Sequence, residues 1–334
     1  MTAVDHPEVS VGRVGVLIVN LGTPDAAEAG AVRRYLAEFL SDRRVVEIPP
    51  IFWQPILRGI ILTTRPRKSA HAYAQVWRED GSPLGAITRA QAKALEGAFG
   101  PEVIVDYAMR YGRPAIADRI AALKAAGCDR ILIAPLYPQY CAATTATAND
   151  SAFAALAAMR WQPALRTLPP YHDHPAYIRA LARSIEVSLA ALPFEPQKLI
   201  ASFHGMPQRT LELGDPYHCH CQKTARLLRE ALGRDVTIAF QSRFGRAKWL
   251  EPALDRMLAA LPAEGVTRVA IVAPGFSADC VETLEEIAIR GRETFIAAGG
   301  SEFASLPCLN DSAQGLEMLE IVLRQELEGW IAAA

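Results

Sequence analysis

The two halves of this chain repeat one another, and no other feature of its 334 residues narrows the fold as much. Val19-Asn20-Leu21-Gly22-Thr23-Pro24 is matched by Ser202-Phe203-His204-Gly205-Met206-Pro207. Met109-Arg110-Tyr111-Gly112-Arg113 is matched by Ser242-Arg243-Phe244-Gly245-Arg246, and Arg130–Pro135 by Arg268–Pro274 with one residue inserted. The matches occur in the same order, each at the carboxyl end of a predicted strand. Strands are expected at Val14–Asn20, Val103–Ala108, Ile131–Pro135, Leu199–Phe203, Val236–Phe240 and Val269–Ala273, with a weaker candidate at Phe303–Leu306. Between them lie stretches of helical period: Arg89–Ala98, Pro114–Ala126, Tyr177–Ala191, Gln222–Leu232 and Glu251–Leu261. Such alternation specifies an α/β chain with parallel sheets. The repeat makes it two similar doubly wound domains, 1–165 and 166–334, joined near Gln162–Pro175, a stretch with four prolines. Open parallel sheets bind ligands outside the carboxyl ends of their strands, so the site is expected between the halves.

The repeat is not even. Gly22 and Gly205 are 183 residues apart but Arg110 and Arg243 only 133, so the first half carries an insert of about fifty residues, roughly 30–82. It contains Ile51-Phe52-Trp53 and Ile60-Ile61-Leu62, followed by Arg65, Arg67 and Lys68. That pattern suits a helix buried on the sheet, a lip over an apolar, anionic ligand, or a shallow membrane contact. The net charge of −1 argues against a dedicated nucleic-acid binder. Residues 1–13 lack the apolar core of a secretory signal, and six scattered cysteines fit a reducing cytoplasm.

Against this frame a few residues stand out. His204 ends a strand before a glycine turn, where an imidazole suits proton transfer or metal ligation; the first half has Leu21 there. Asp279, Glu282 and Glu286 would line one face of a helix at i, i+3 and i+7, a path for protons or a hydrated divalent cation. Arg110 and Arg243 suit carboxylate binding or domain-domain ion pairing, and Tyr73, Trp77, Ser82 and Trp249 offer surface to a flat ligand. His218-Cys219-His220-Cys221 is read as a polar loop in preference to a metal site, because neighbours in an extended segment point apart. No dinucleotide, Walker or hydrolase loop is present.

These residues resemble the ferrochelatase family. The resemblance rests on Asn20-Leu21-Gly22-Thr23-Pro24, Gly81-Ser82-Pro83, Met109-Arg110-Tyr111, Tyr137-Pro138-Gln139-Tyr140, Ser202–Pro207, Gly214-Asp215-Pro216-Tyr217, Phe240-Gln241-Ser242-Arg243 and Ser277–Glu286, in order along nearly the whole chain. It implies two Rossmann-like domains enclosing a porphyrin cleft, and a lyase that inserts Fe²⁺ into protoporphyrin IX to end haem biosynthesis. By resemblance His204 and Glu282 are the catalytic and metal-facing residues. Asp279 and Glu286 form a relay on a helix with a π-type widening, and Leu21, Tyr73, Ser82, Arg110, Tyr111 and Trp249 fall on the porphyrin pocket. Fe²⁺ is then a substrate and no organic cofactor is needed. Some members carry a 2Fe–2S cluster; here its candidate ligands are Cys141, Cys219, Cys221 and Cys308. Coproporphyrin III as substrate, and a non-catalytic porphyrin carrier, are the alternative readings.

Overall fold

Val14–Val19 is apolar at every position, a run that must be covered on both faces and therefore belongs inside a parallel sheet. In the computed structural model, which describes residues 9–243, 245 and 247–331, this run is β1 (Arg13–Gly22). It pairs in parallel with β2 (Val103–Tyr111) on one side and β3 (Cys128–Pro135) on the other. β4 (Ala164–Thr167) completes the sheet, in the order β2-β1-β3-β4. The second half builds β5 (Lys198–His204), β6 (Thr237–Gln241), β7 (Arg268–Val272) and β8 (Glu302–Ser305) in the same arrangement, β6-β5-β7-β8.

Alternate strand residues face opposite layers. Val16, Ile18, Leu132, Phe203 and Val272 share one cluster that runs through both halves, whereas Leu17, Val19 and Ile133, and separately Ile200 and Ile271, face outer helices. The shared layer is filled by helices Pro175–Ala190, Tyr217–Leu232 and Ala313–Glu326, which bury Ile185, Leu228 and Leu323 in it. The last of these packs on helix Pro83–Phe99 of the first half. Arg166 donates to the carbonyls of Glu326 and Glu328, so the chain end is fastened to the first sheet.

The repeat runs deeper than the sequence motifs. In each half the third strand leads, after a loop, into a helix wound with π-type hydrogen bonds: Ala142–Ala146 after β3 and Glu282–Gly291 after β7. Aligning Pro135 with Pro274 pairs Cys141 with Cys280 and Thr144 with Thr283 without a gap. Ala143 then stands opposite Glu282, and Thr147 opposite Glu286.

Three expectations need correction. β4 lies inside the stretch taken as a linker and crosses the expected 165/166 boundary, because its pairing with β3 supplies what its half-exposed sequence does not. His218–Cys221 is the first turn of helix Tyr217–Leu232, not a loop: Tyr217, Cys221, Ala225 and Leu228 make its buried stripe. The helix expected from Glu251 begins only at Leu254, beyond Pro252. The insert is built of helices joined by loops: Ala29–Ser41, Pro50–Ile56, a π-turn at Leu57–Ile61 and Leu62–Val76. Trp53, Leu57 and Leu62 pack on Leu36 and Leu40, while Ile51 and Phe52 stay 79% and 66% exposed. Among the described residues no helix is long and apolar enough to cross a membrane.

Candidate active site between the halves

β5 delivers His204 to its carboxyl end, where the backbone N–H of Gly205 donates to the carbonyl of Gln241 on β6 (2.7 Å). A Cβ on Gly205 would lie 2.5 Å from that carbonyl oxygen, so the turn admits only glycine. The first half repeats the device: a Cβ on Gly22 would lie 1.8 Å from the carbonyl of Tyr111. His204 Nδ1 sits 2.8 Å from the carbonyl of Gly205. A carbonyl only accepts, so Nδ1 carries a proton, and in the neutral ring the lone pair is on Nε2. Tyr217 donates to the His204 carbonyl (2.9 Å), and Trp249 lies over the Gly205 turn, paired through its backbone to Pro207.

Gln241 joins this turn to the π-helix. Its side chain accepts from Ser202 (2.7 Å) and donates to the carbonyl of Glu282 (2.9 Å). Glu282 opens the helix half-buried; its charge is felt by the phenols of Tyr73 and Tyr35, whose ionisation burial already pushes well up, and by the Cys280 thiol. Glu282 therefore stands beside the insert, whose helix Leu62–Val76 contacts the π-helix. Glu286 accepts from the backbone N–H and the hydroxyl of Ser242, both at 2.6 Å, where Ser242 takes a left-handed backbone (φ 63°).

Asp279 departs from the expected row. It precedes the helix, and the π-winding removes the i, i+3, i+7 spacing of an α-helix. Its carboxylate is bonded to Thr283 (2.7 Å) and Asn310 (2.7 Å) and is 8% exposed.

The expected pocket residues separate into two groups. Leu21 lies half-buried near the end of β1, and Tyr73 packs edge-on to Trp77 in the insert. Arg110 pairs with Asp42 and stacks on Tyr111 at 4.3 Å. Tyr111 is fully buried and donates to Asp42 (2.9 Å), so its ring backs the wall without forming its surface. Ser82 is the N-cap of helix Pro83–Phe99, accepting from Gly85 N–H (3.1 Å). Arg243 pairs with Asp255; Phe244 and Arg246 lie outside the described residues. Sequence reasoning missed Gln241 and Ser242 as supports of the acidic residues, although both stand in the Phe240-Gln241-Ser242-Arg243 motif on which the resemblance rests.

The cysteines do not assemble a cluster. Cys141 and Cys221 are near neighbours in the shared layer, Cys219 is exposed on the far side of its helix turn, and Cys308 lies with Asp279 in the second half. Among the described residues no group of three or more His, Cys, Asp or Glu is arranged to hold a metal ion. His220 serves the interface between the halves instead: its Nδ1 accepts from Tyr140 N–H (3.1 Å), and its ring stacks on His172 at 3.6 Å. Asp215 accepts from Ala142 N–H (2.8 Å) alongside it.

Paired parallel sheets with an imidazole and carboxylates at the carboxyl ends of one half define a protein of the metal-chelatase class. Two solved structures share the fold: SirB from Bacillus subtilis with Fe³⁺ (TM-score 0.58, 12% identity, 95% of this chain and 97% of that one) and CbiX, described as the terminal enzyme for biosynthesis of siroheme in denitrifying bacteria (TM-score 0.52, 14% identity, 95% and 100%). A family model described as Ferrochelatase matches residues 13–327. The chain is 58% identical to the ferrochelatase of Rhizobium meliloti (strain 1021), over 98% of each chain, and 55% identical to that of Agrobacterium fabrum, over 98% and 97%. This chain belongs to the ferrochelatase family.

Proposed function

We propose that this chain inserts Fe²⁺ into protoporphyrin IX, releasing two protons to form protohaem in the last step of haem biosynthesis. Family membership supports the reaction. The observation that carries the site is His204, whose neutral ring has its lone pair on Nε2, tied through Gln241 to the strand of helix that opens with Glu282. Metal insertion needs removal of two pyrrole protons, dehydration of the ion and a ring bent out of plane. A cleft whose walls are held by buried hydrogen bonds favours the bent ring over the flat one. The His204 lone pair and the Glu282 carboxylate meet the incoming ion and the leaving protons, and Glu286 continues the acidic path. Asp279, buried ahead of the helix and bonded to Thr283 and Asn310, supports that path from behind.

Leu21, Tyr73, Arg110 and Trp249 are proposed to face the porphyrin, Ser82 and Tyr111 to support the wall. The protein works in the cytoplasm without an organic cofactor, as a unit divided near Thr167, and the exposed Ile51 and Phe52 allow peripheral contact with a membrane.

The test is anaerobic insertion of Fe²⁺ or Zn²⁺ into protoporphyrin IX, followed by its visible spectrum, for wild type and His204→Ala. Loss of a general base or ligand should cost about 100-fold or more. Porphyrin binding without turnover by the wild type would leave a porphyrin carrier, and faster turnover of coproporphyrin III would change the substrate.

A further inference from the structure

The segment from Ser277 to Val281 links β7 to the π-helix without regular structure of its own, yet it sets where Glu282 stands. What fixes it comes from a distant part of the chain. Asn310, in the loop after β8, donates from Nδ2 to Asp279 Oδ2 (2.7 Å) and accepts at Oδ1 from the Asp279 backbone N–H (2.8 Å). Its own N–H donates to the carbonyl of Ser277 (3.1 Å). The other Asp279 oxygen takes the hydroxyl proton of Thr283 (2.7 Å), and the same hydroxyl accepts from Cys280 N–H (3.1 Å), inside the first turn of the π-helix. Asn310 adopts a left-handed backbone (φ 51°), which asparagine tolerates better than most residues. The arrangement reaches the first half too. Gln91, buried on helix Pro83–Phe99, donates from Nε2 to the carbonyls of Asn310 (2.8 Å) and Ser277 (3.3 Å), and Asn20 at the end of β1 reaches Ser277 Oγ (3.4 Å).

We infer that Asn310 is a positioning residue for metal insertion, acting through Asp279 and Thr283 to fix the start of the π-helix and thereby the Glu282 carboxylate. The inference rests on the reading of Glu282 proposed above. A two-point amide–carboxylate pair determines direction as well as distance, which a single hydrogen bond does not. Because Asp279 is buried, deleting the amide leaves a carboxylate oxygen without its donor and the segment free to shift. A shift of about 1 Å at a reacting group is enough to cost on the order of 100-fold in rate. Asn310 itself stands behind the segment and meets no substrate, so porphyrin affinity should not follow.

The experiment measures kcat and KM for Zn²⁺ insertion into protoporphyrin IX, and porphyrin Kd by fluorescence, in wild type, Asn310→Gly and the exchange pair Asp279→Asn with Asn310→Asp. Asn310→Gly keeps the left-handed backbone and removes the amide; kcat should fall about 10-fold or more with Kd within about twofold. The exchange pair restores an amide facing a carboxylate with the roles reversed, and should recover kcat to within about threefold of wild type. Unchanged kcat in Asn310→Gly overturns the inference, and so does a folded exchange pair that stays slow. If Asn310→Gly does not fold, the exchange pair alone decides. A wild type that binds porphyrin without turnover overturns instead the reading of Glu282.

Discussion

Gly205 shows how one missing side chain sets the geometry of the site. The Gln241 carbonyl occupies the space of a Cβ at 2.5 Å, and it is backbone, so it yields only if β5 and β6 separate. Gly205→Ala should therefore destabilise the fold by about 1–3 kcal/mol, read from urea unfolding, and lower metal insertion at temperatures where the protein is still folded. Ser242 works on the opposite side of the same strand end, giving Glu286 two donors. Ser242→Ala removes one and leaves the backbone N–H, so a loss of about 1–2 kcal/mol in stability is expected by the same measurement. His204 was legible in the sequence because its partner in the repeat is Leu21, a contrast between equivalent turns. The roles of Gln241 and Ser242 were not legible. Each works through a pairing between strands far apart in sequence, and neither is of a type that announces chemistry.

At the level of elements, the sequence pattern revealed every strand but β4, at the sheet edges (β2, β6 and β8) as well as at the centre. β1, β3, β5 and β7 stand out because burial on both sides admits only apolar residues. β4 did not, since Ala164–Thr167 has one exposed and three half-covered residues next to prolines and is a strand only because β3 offers it an edge. The first turn of helix Tyr217–Leu232 was hidden by His218, Cys219 and His220, three residues that look like ligands and serve here as a polar helix face. Periodicity also assumed 3.6 residues per turn for Asp279–Glu286, and the π-winding belongs to hydrogen-bond pattern, which composition does not encode. Ser82 gives a test at this scale. As N-cap of helix Pro83–Phe99, its replacement by alanine should cost about 1 kcal/mol in thermal unfolding, with porphyrin affinity little changed.

Across the whole molecule the halves are held by a shared core and by polar latches. One latch should make stability depend on pH. Burial and the neighbouring His220 lower the His172 pKa from its usual 6.5 to about 4, and His220 is lowered by burial as well. The unfolded chain binds these protons more readily. The contribution is thus complete above about pH 6.5, is lost progressively toward pH 4 and changes no further below it, on the order of 2 kcal/mol for His172. Unfolding temperature measured across that window should fall in wild type and fall less in His172→Phe, which retains a stacking ring. The end of the chain is a second fastening. Truncation after Ser312 removes Met318, Leu319, Val322, Leu323 and Leu327, each worth about 1.5–3 kcal/mol when buried. Their sum is comparable with the whole stability of a domain, so circular dichroism of the truncated chain should show no cooperative transition. Finally, the matched π-turns have Ala143 and Thr147 in one half at the positions of Glu282 and Glu286 in the other. Protoporphyrin IX is flat, and its two sides are mirror images that only a chiral environment tells apart. On the roles proposed for Glu282 and Glu286, the reaction acquires facial selectivity: the metal reaches the same side of every macrocycle.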